Sequence, residues 1–122
     1  MFFQRKAYQA LMTWKRQSEG KRAMLIEGAR RVGKSTLAQE FAQREYAKHL
    51  IIDFSEASED IKDLFRHYRA NVDDFFMYLQ AYTGVSLPRR NAVIVFDEVQ
   101  RFPPAREFIK QLVADGRYDY IE

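Results

Sequence analysis

The segment that most constrains the fold lies at residues 26–36 and reads IEGARRVGKST. Two glycines, Gly28 and Gly33, enclose four residues, and a lysine and two hydroxyl residues follow directly. An apolar run precedes the segment, and a pattern with helical spacing follows it. A glycine-rich turn between a strand and a helix can point its backbone N–H groups at an anion, and the helix N-terminus adds its dipole. The segment therefore predicts a phosphate-binding loop rather than an ordinary basic turn.

Each feature of this loop pattern has a physical task. The segment matches G-x-x-x-x-G-K-[ST] in full, and its glycines permit the tight turn and the close approach of backbone to phosphate. We expect Lys34 to reach the β- and γ-phosphates of a nucleotide and Ser35 to offer its hydroxyl to Mg²⁺. The predicted nucleotide-binding residues are Gly28, Ala29, Arg30, Arg31, Val32, Gly33, Lys34, Ser35 and Thr36.

A second group of candidate residues follows the most apolar run in the chain, residues 92–96. Asp97 and Glu98 come directly after this run, which reads as a buried strand. The carboxyl ends of parallel strands form the edge where ligands bind in open α/β folds. We expect Asp97 to hold Mg²⁺, directly or through water, and Glu98 to orient and activate an attacking water. Lys34 and Glu98 are therefore the predicted catalytic residues.

Strand and helix patterns alternate along the chain, which predicts an α/β fold of three layers with a mostly parallel sheet. The predicted strands cover residues 23–27, 49–54 and 92–96, and residues 118–122 begin a fourth. The predicted helices cover residues 3–18 and 34–47, two segments with apolar faces around Ile61 and Phe75, and a segment that begins at Pro103. Asn71 and Gly116 are expected to cap helices at their N- and C-terminal ends.

Composition and charge exclude some classes of protein. The chain has 122 residues and no cysteine, which excludes a disulfide scaffold and a thiolate metal site. The absence of cysteine fits a reducing compartment, so we expect a cytoplasmic protein, and no apolar run approaches the roughly 18 residues of a membrane span. Residues 1–34 carry nine Lys and Arg against two Glu. This basic end suits a polyphosphate or an acidic partner, although a solvated helix face explains much of it equally well.

The two motifs together, GARRVGKST and VIVFDEVQRFP, resemble the prokaryotic AAA-like P-loop ATPases, in which a glutamate follows the Walker-B aspartate. By this resemblance Lys34 and Ser35 correspond to the Walker-A lysine and hydroxyl. Asp97 and Glu98 correspond to the Walker-B pair, and Gln100 matches a glutamine that recurs in the family. The resemblance implies an ATP-binding, Mg²⁺-dependent ATPase module.

The resemblance also predicts a division of the chain. An N-terminal helix at residues 1–19 precedes a partial P-loop ATPase domain at residues 20–122, and members of the family continue into further strands and a separate C-terminal domain. We therefore expect a sheet that is incomplete at the C-terminus, impaired ATP hydrolysis, and a missing C-terminal domain or protein partner. The segment 118–122 would lie centrally in the sheet, and its few apolar residues predict an exposed strand edge that favours a homo-oligomer.

Other functions and residues stay open at the level of sequence. A P-loop kinase for a small molecule needs an acceptor pocket and a lid, for which only SLPRRN is available. A non-catalytic module would bind a nucleotide, or nucleic acid through the basic N-terminal helix. Asp53 could touch Mg²⁺-bound water or Lys34, or it could serve as a turn residue. A set of aromatic residues is expected to lie in the core rather than to stack on bases: Phe54, Phe65, Phe75, Phe76 and Tyr82.

Overall fold

The computed structural model describes residues 2–18, 21–24 and 34–122, with side chains for 6–18, 21–24 and 37–122. The helices in these ranges are α1 (Phe2–Ser18), α2 (Lys34–Glu45), α3 (Glu59–His67), α4 (Val72–Thr83) and α5 (Pro103–Asp115). The strands are β1 (Lys48–Asp53), β2 (Ala92–Asp97) and β3 (Asp119–Ile121), and a one-turn 3-10 helix, Val99–Arg101, connects β2 to α5. The predicted elements in these ranges are confirmed, with ends displaced by at most a few residues.

The described strands form a parallel sheet in the order β1-β2-β3. Strands β1 and β2 pair along their whole length, from Lys48 opposite Ala92 to Asp53 opposite Asp97. Both strands therefore end at the same level, and their two terminal aspartates share the carboxyl edge of the sheet. This confirms the predicted α/β fold with a parallel sheet.

The last strand, β3, lies between β2 and the segment that contains Met24. Met24 forms a parallel bridge with Ile121. The Met24 amide donates to the carbonyl of Tyr120 at 2.9 Å, and the Glu122 amide donates to the carbonyl of Met24 at 2.8 Å. The central position predicted for residues 118–122 is confirmed, because β3 has backbone partners on both sides.

Helices cover both faces of the sheet. On one face, Ile94 and Phe96 of β2 join a cluster built with α3, α4 and α5. On the other face, Val93 and Val95 join a smaller cluster with apolar residues of α1 and α2. Successive strand residues point to opposite faces, so a strand buried on both faces must be apolar throughout. This explains the continuous apolar run before Asp97 and confirms the three layers.

Strand β3 is far more buried than its composition indicates, since none of its residues is more than 4% exposed. The Tyr120 ring stacks on Phe96 with 6.0 Å between centroids. The Asp119 carboxylate accepts hydrogen bonds from the Tyr46 hydroxyl and, at 2.6 Å, from the Arg90 guanidinium. The expectation of an exposed strand edge here was wrong, because an aromatic ring and a paired acid occupy core positions. The homo-oligomer prediction loses that support.

Helix ends follow local signals in the sequence. The Asn71 side chain accepts a hydrogen bond from the Asp74 amide at 3.1 Å and so caps α4. Helix α5 begins with Pro103 and ends at Gly116, whose φ of 77° is left-handed. Among the five aromatic residues expected in the core, four are at most 3% exposed. The prediction for Tyr82 was wrong, because that residue of α4 is 51% exposed.

Candidate active site

The site begins where the buried strand β2 ends. Its first five residues are at most 5% exposed, whereas Asp97 is half-buried. The Phe54 amide donates to the Asp97 carbonyl at 2.9 Å, which ties the segment after β1 to the end of β2. The structure thus places Asp97 at the carboxyl edge of the sheet, where a carboxylate can face a ligand.

Glu98, the next residue, has an uncommon backbone conformation. Its φ of 56° and ψ of 38° are left-handed, and it precedes the 3-10 helix Val99–Arg101. Left-handed backbone is uncommon for residues other than glycine, and such strained positions cluster at functional sites. The conformation turns the chain sharply away from the strand direction immediately after Asp97.

The Glu98 carboxylate contacts two side chains of the following turn. Arg101 donates through Nε to Oε1 at 3.2 Å, and Gln100 donates through Nε2 to Oε2 at 3.3 Å. No role for Gln100 could be derived from the sequence, and Arg101 was not predicted as a site residue. The spacing of three residues between an acid and an arginine was the available signal, but such pairs are common on protein surfaces.

The predicted phosphate-binding loop falls mostly outside the described residues, which resume at Lys34. The backbone of Lys34, Ser35 and Thr36 forms the first turn of α2, so this helix begins at the point that the motif predicts. Leu37, three residues after Lys34, is 5% exposed and belongs to the cluster between α2 and the sheet. Helix α2 is therefore anchored against the sheet directly after the residues predicted to bind phosphate.

Comparison with known protein families identifies the family of this chain. Residues 20–122 match a family described as an AAA domain. The chain belongs to this family. The matched residues include the candidate phosphate-binding segment and the acid pair after β2, so the chain contains an AAA-like, nucleotide-binding ATPase-type module. Comparisons with curated proteins and with solved structures gave no match.

Asp53 of the AAA domain has a local partner in the turn that follows β1. Its Oδ1 accepts hydrogen bonds from the Ser55 amide at 2.9 Å and from the Ser55 hydroxyl at 2.6 Å. This is the geometry of an aspartate that stabilises a turn two residues further on. The turn interpretation of Asp53 therefore fits the structure directly.

Carboxylates at the carboxyl edge of the sheet are the candidate metal donors among the described residues. Within residues 2–18, 21–24 and 34–122, no three His, Cys, Asp or Glu side chains come together as a metal site. Magnesium is usually bound by one or two carboxylates together with substrate phosphates and water. The half-buried carboxylate of Asp97 at the sheet edge fits that pattern.

The basic N-terminal helix α1, which precedes the residues matched by the AAA family, uses part of its surface for packing. Leu11 and Trp14 are buried against α2. The Lys15 ammonium lies 4.9 Å from the centroid of the Tyr46 ring, in cation–π geometry. Among the helices that the structure describes, none combines the length and the apolar character that crossing a membrane requires.

Proposed function

We propose that this AAA domain binds ATP with Mg²⁺ and hydrolyses it to ADP and phosphate. The observation that carries the proposal is the acid pair at the carboxyl end of β2, in which half-buried Asp97 precedes left-handed Glu98. The family match over residues 20–122 supports a nucleotide as the ligand. The sequence motif at residues 28–35 supports phosphate as the part of the ligand that is bound.

The proposal gives separate tasks to the loop and to the acid pair. Backbone N–H groups of residues 28–33 and the Lys34 ammonium bind the phosphates. Ser35 and Asp97 would hold Mg²⁺, which would supply positive charge to offset the negative charge of the phosphates. The start of α2 at Lys34 supports this assignment, because a helix N-terminus attracts anions.

Glu98 is the proposed base. Its carboxylate accepts a proton from the water whose oxygen forms the new bond to the γ-phosphorus, while the bond from that phosphorus to the β,γ-bridging oxygen breaks. The protein holds the phosphates and the water in line, and positioning of this kind supplies much of the catalysis in phosphoryl transfer. The location of Glu98 one residue beyond Asp97 supports a shared site.

We further propose that turnover by this chain alone is slow. Charge develops on the γ-phosphoryl oxygens in the transition state, and an arginine aimed at it can contribute roughly 10³–10⁵ in rate. Arg101, the basic residue closest in sequence to the acid pair, donates instead to Glu98. A further domain, a protein partner or a second copy of the chain would supply the required positive group.

Titration calorimetry with ATP, in the presence and absence of Mg²⁺, tests the binding proposal. We expect Lys34→Ala to weaken Mg-ATP binding at least about tenfold, because a charge-assisted hydrogen bond to phosphate is lost. Lys48→Ala is the matched control, since Lys48 is exposed at the opposite, amino end of β1. Equal affinity of the wild type and Lys34→Ala would contradict the assignment.

Phosphate release separates hydrolysis from transfer to an acceptor. A water-activating Glu98 predicts release of phosphate from Mg-ATP without any acceptor added. Release or consumption of ATP only after an acceptor alcohol is supplied would identify a kinase instead. Binding of DNA that weakens steeply with salt, without phosphate release, would favour the non-catalytic alternative.

A further inference from the structure

Both oxygens of the Glu98 carboxylate accept hydrogen bonds from the turn that follows it. Arg101 Nε lies 3.2 Å from Oε1, and Gln100 Nε2 lies 3.3 Å from Oε2. Two donors on two different oxygens fix the rotation of the carboxylate plane as well as its position. A single contact would leave the plane free to rotate about the axis of that contact.

Gln100 and Arg101 belong to a turn that backbone hydrogen bonds hold in place. The Arg101 amide donates to the Glu98 carbonyl at 3.0 Å, and the Phe102 amide donates to the Val99 carbonyl at 3.0 Å. Val99 is 4% exposed and Phe102 is 7% exposed, so both ends of the turn are anchored in the core. The side chains that contact Glu98 therefore begin at fixed positions.

The same turn is attached to the ends of both strands. The Phe102 ring stacks on Phe54 with 5.6 Å between centroids and 19° between planes. Phe54 is also the residue whose amide donates to the Asp97 carbonyl. Phe54 thus connects the 3-10 helix to the carboxyl ends of both β1 and β2. Movement of the turn would disturb the positions of Asp97 and Glu98 together.

From this geometry we propose that Arg101 and Gln100 are positioning residues that hold the Glu98 carboxylate in the orientation in which it acts on water. The inference rests on the proposed function, since it assigns a task to the same carboxylate. A carboxylate offers about four acceptor positions on its two oxygens. The turn supplies donors to two of these positions, one on each oxygen.

The solvent exposure of the Arg101–Glu98 ion pair indicates that the pair contributes little to stability, so a positioning role can be tested separately. The Arg101 side chain is 58% exposed and that of Glu98 is 34% exposed. Exposed ion pairs contribute little to folding, because solvent screens them and the two side chains lose conformational freedom when they form. Variants at Arg101 and Gln100 should therefore fold as the wild type does, with an effect confined to the chemical step.

The test is single-turnover release of labelled phosphate from Mg-ATP with protein in excess, which detects slow hydrolysis. We expect Arg101→Ala to lower the rate at saturating nucleotide about tenfold, since small displacements of a catalytic group cost up to about 10²-fold. The Kd of Mg-ATP should stay within about twofold of wild type, because the change acts on the base and not on phosphate binding. Gln100→Ala should lower the rate by a smaller factor, about threefold, because its donor is neutral.

Two further variants test whether the loss of rate is specific to the planar guanidinium of Arg101. Arg101→Lys keeps the charge but loses the planar fork, so it should recover only part of the lost rate. Arg69→Ala is the matched control, because Arg69 forms an exposed pair with Glu107 at 3.3 Å on another part of the surface. Its phosphate release should equal that of the wild type.

The outcomes separate failure of this inference from failure of the proposed function. If Glu98→Gln abolishes release but Arg101→Ala and Gln100→Ala leave it unchanged, the inference is overturned and the proposed function stands. A higher rate in Arg101→Ala also overturns it, because the pair would then hold Glu98 away from water. If the wild type releases no phosphate, or if Glu98→Gln releases it as fast, both proposals fail together.

Discussion

The carboxyl ends of β1 and β2 are alike in sequence pattern and different in structure. Each strand ends in an aspartate, and Asp53 lies directly opposite Asp97 in the parallel register. After Asp53 the chain folds into a turn in which that aspartate binds Ser55. After Asp97 the backbone becomes left-handed at Glu98, and the next residues form a 3-10 helix. The residues that follow each aspartate, rather than its register position, decide its surroundings.

The two strand ends differ in which acid the following turn binds. At β1 the carboxylate satisfies backbone and hydroxyl donors of its own turn, so it is occupied by a structural task. At β2 the donors of the turn, Gln100 and Arg101, bind the carboxylate of the next residue, Glu98. The proposed function assigns the metal to Asp97 and the water to Glu98.

The largest expected effect is the loss of phosphate release when Glu98 is replaced. Glu98→Gln removes the proposed base while keeping the size of the side chain, so we expect phosphate release to fall by about 10²-fold or more. Asp53→Asn is the matched carboxylate-to-amide change at the other strand end, and it should leave release within about twofold of wild type. Equal losses in the two variants would show that the two strand ends do not differ in function.

The next effect concerns Asp97. Asp97→Asn should weaken ATP binding about tenfold when Mg²⁺ is present and hardly change it when Mg²⁺ is chelated, because the carboxylate acts through the ion. Calorimetry under both conditions measures this difference. The same loss with and without Mg²⁺ would mean that Asp97 supports the fold of the strand end rather than a metal.

A smaller effect is expected on stability at Asp53. Asp53→Ala removes the acceptor for the Ser55 amide and hydroxyl, so the free energy of unfolding should fall by about 1 kcal/mol. Urea denaturation measures it, and Asp53→Asn, which retains an acceptor oxygen, should lose less. Nucleotide affinity in Asp53→Ala should equal that of the wild type. A clear loss of affinity would place Asp53 in the nucleotide site.

A comparison of two variants at Glu98 isolates the backbone strain. Glycine adopts left-handed backbone freely, whereas alanine retains the Cβ that makes this conformation unfavourable. Glu98→Gly should therefore unfold with a free energy about 1 kcal/mol higher than Glu98→Ala, although both lose the carboxylate. Thermal and urea unfolding of the two proteins provide the values. If alanine is equally stable at this position, the left-handed turn is not strained in solution.

The smallest effect concerns Tyr120 of β3, the strand on the other side of β2. Its hydroxyl is buried and has no hydrogen-bond partner in the described part of the chain, and burial raises the pKa of this tyrosine. Tyr120→Phe removes an unsatisfied polar atom while keeping the stacked ring, so stability should stay within about 0.5 kcal/mol of wild type or rise. A loss above about 1 kcal/mol in urea denaturation would reveal a partner for the hydroxyl.

Much of the architecture was determined by the sequence itself. The apolar run before Asp97 predicted a buried strand, and Asn71 and Gly116 cap the helices that they were predicted to cap. The family motifs also located Asp97 and Glu98 at a strand end. These features depend on periodicity and on contacts within a few residues, which a sequence displays directly.

Only the tertiary structure decided the partners of the polar groups. Asp119 is buried because Tyr46, 73 residues away in sequence, and Arg90 both reach its carboxylate. Gln100 and Arg101 contact Glu98 because its backbone is left-handed, and no residue type other than glycine signals that conformation reliably. Periodicity assigns a residue to the core or the surface, whereas the pairing of polar side chains depends on where the folded chain brings distant segments together.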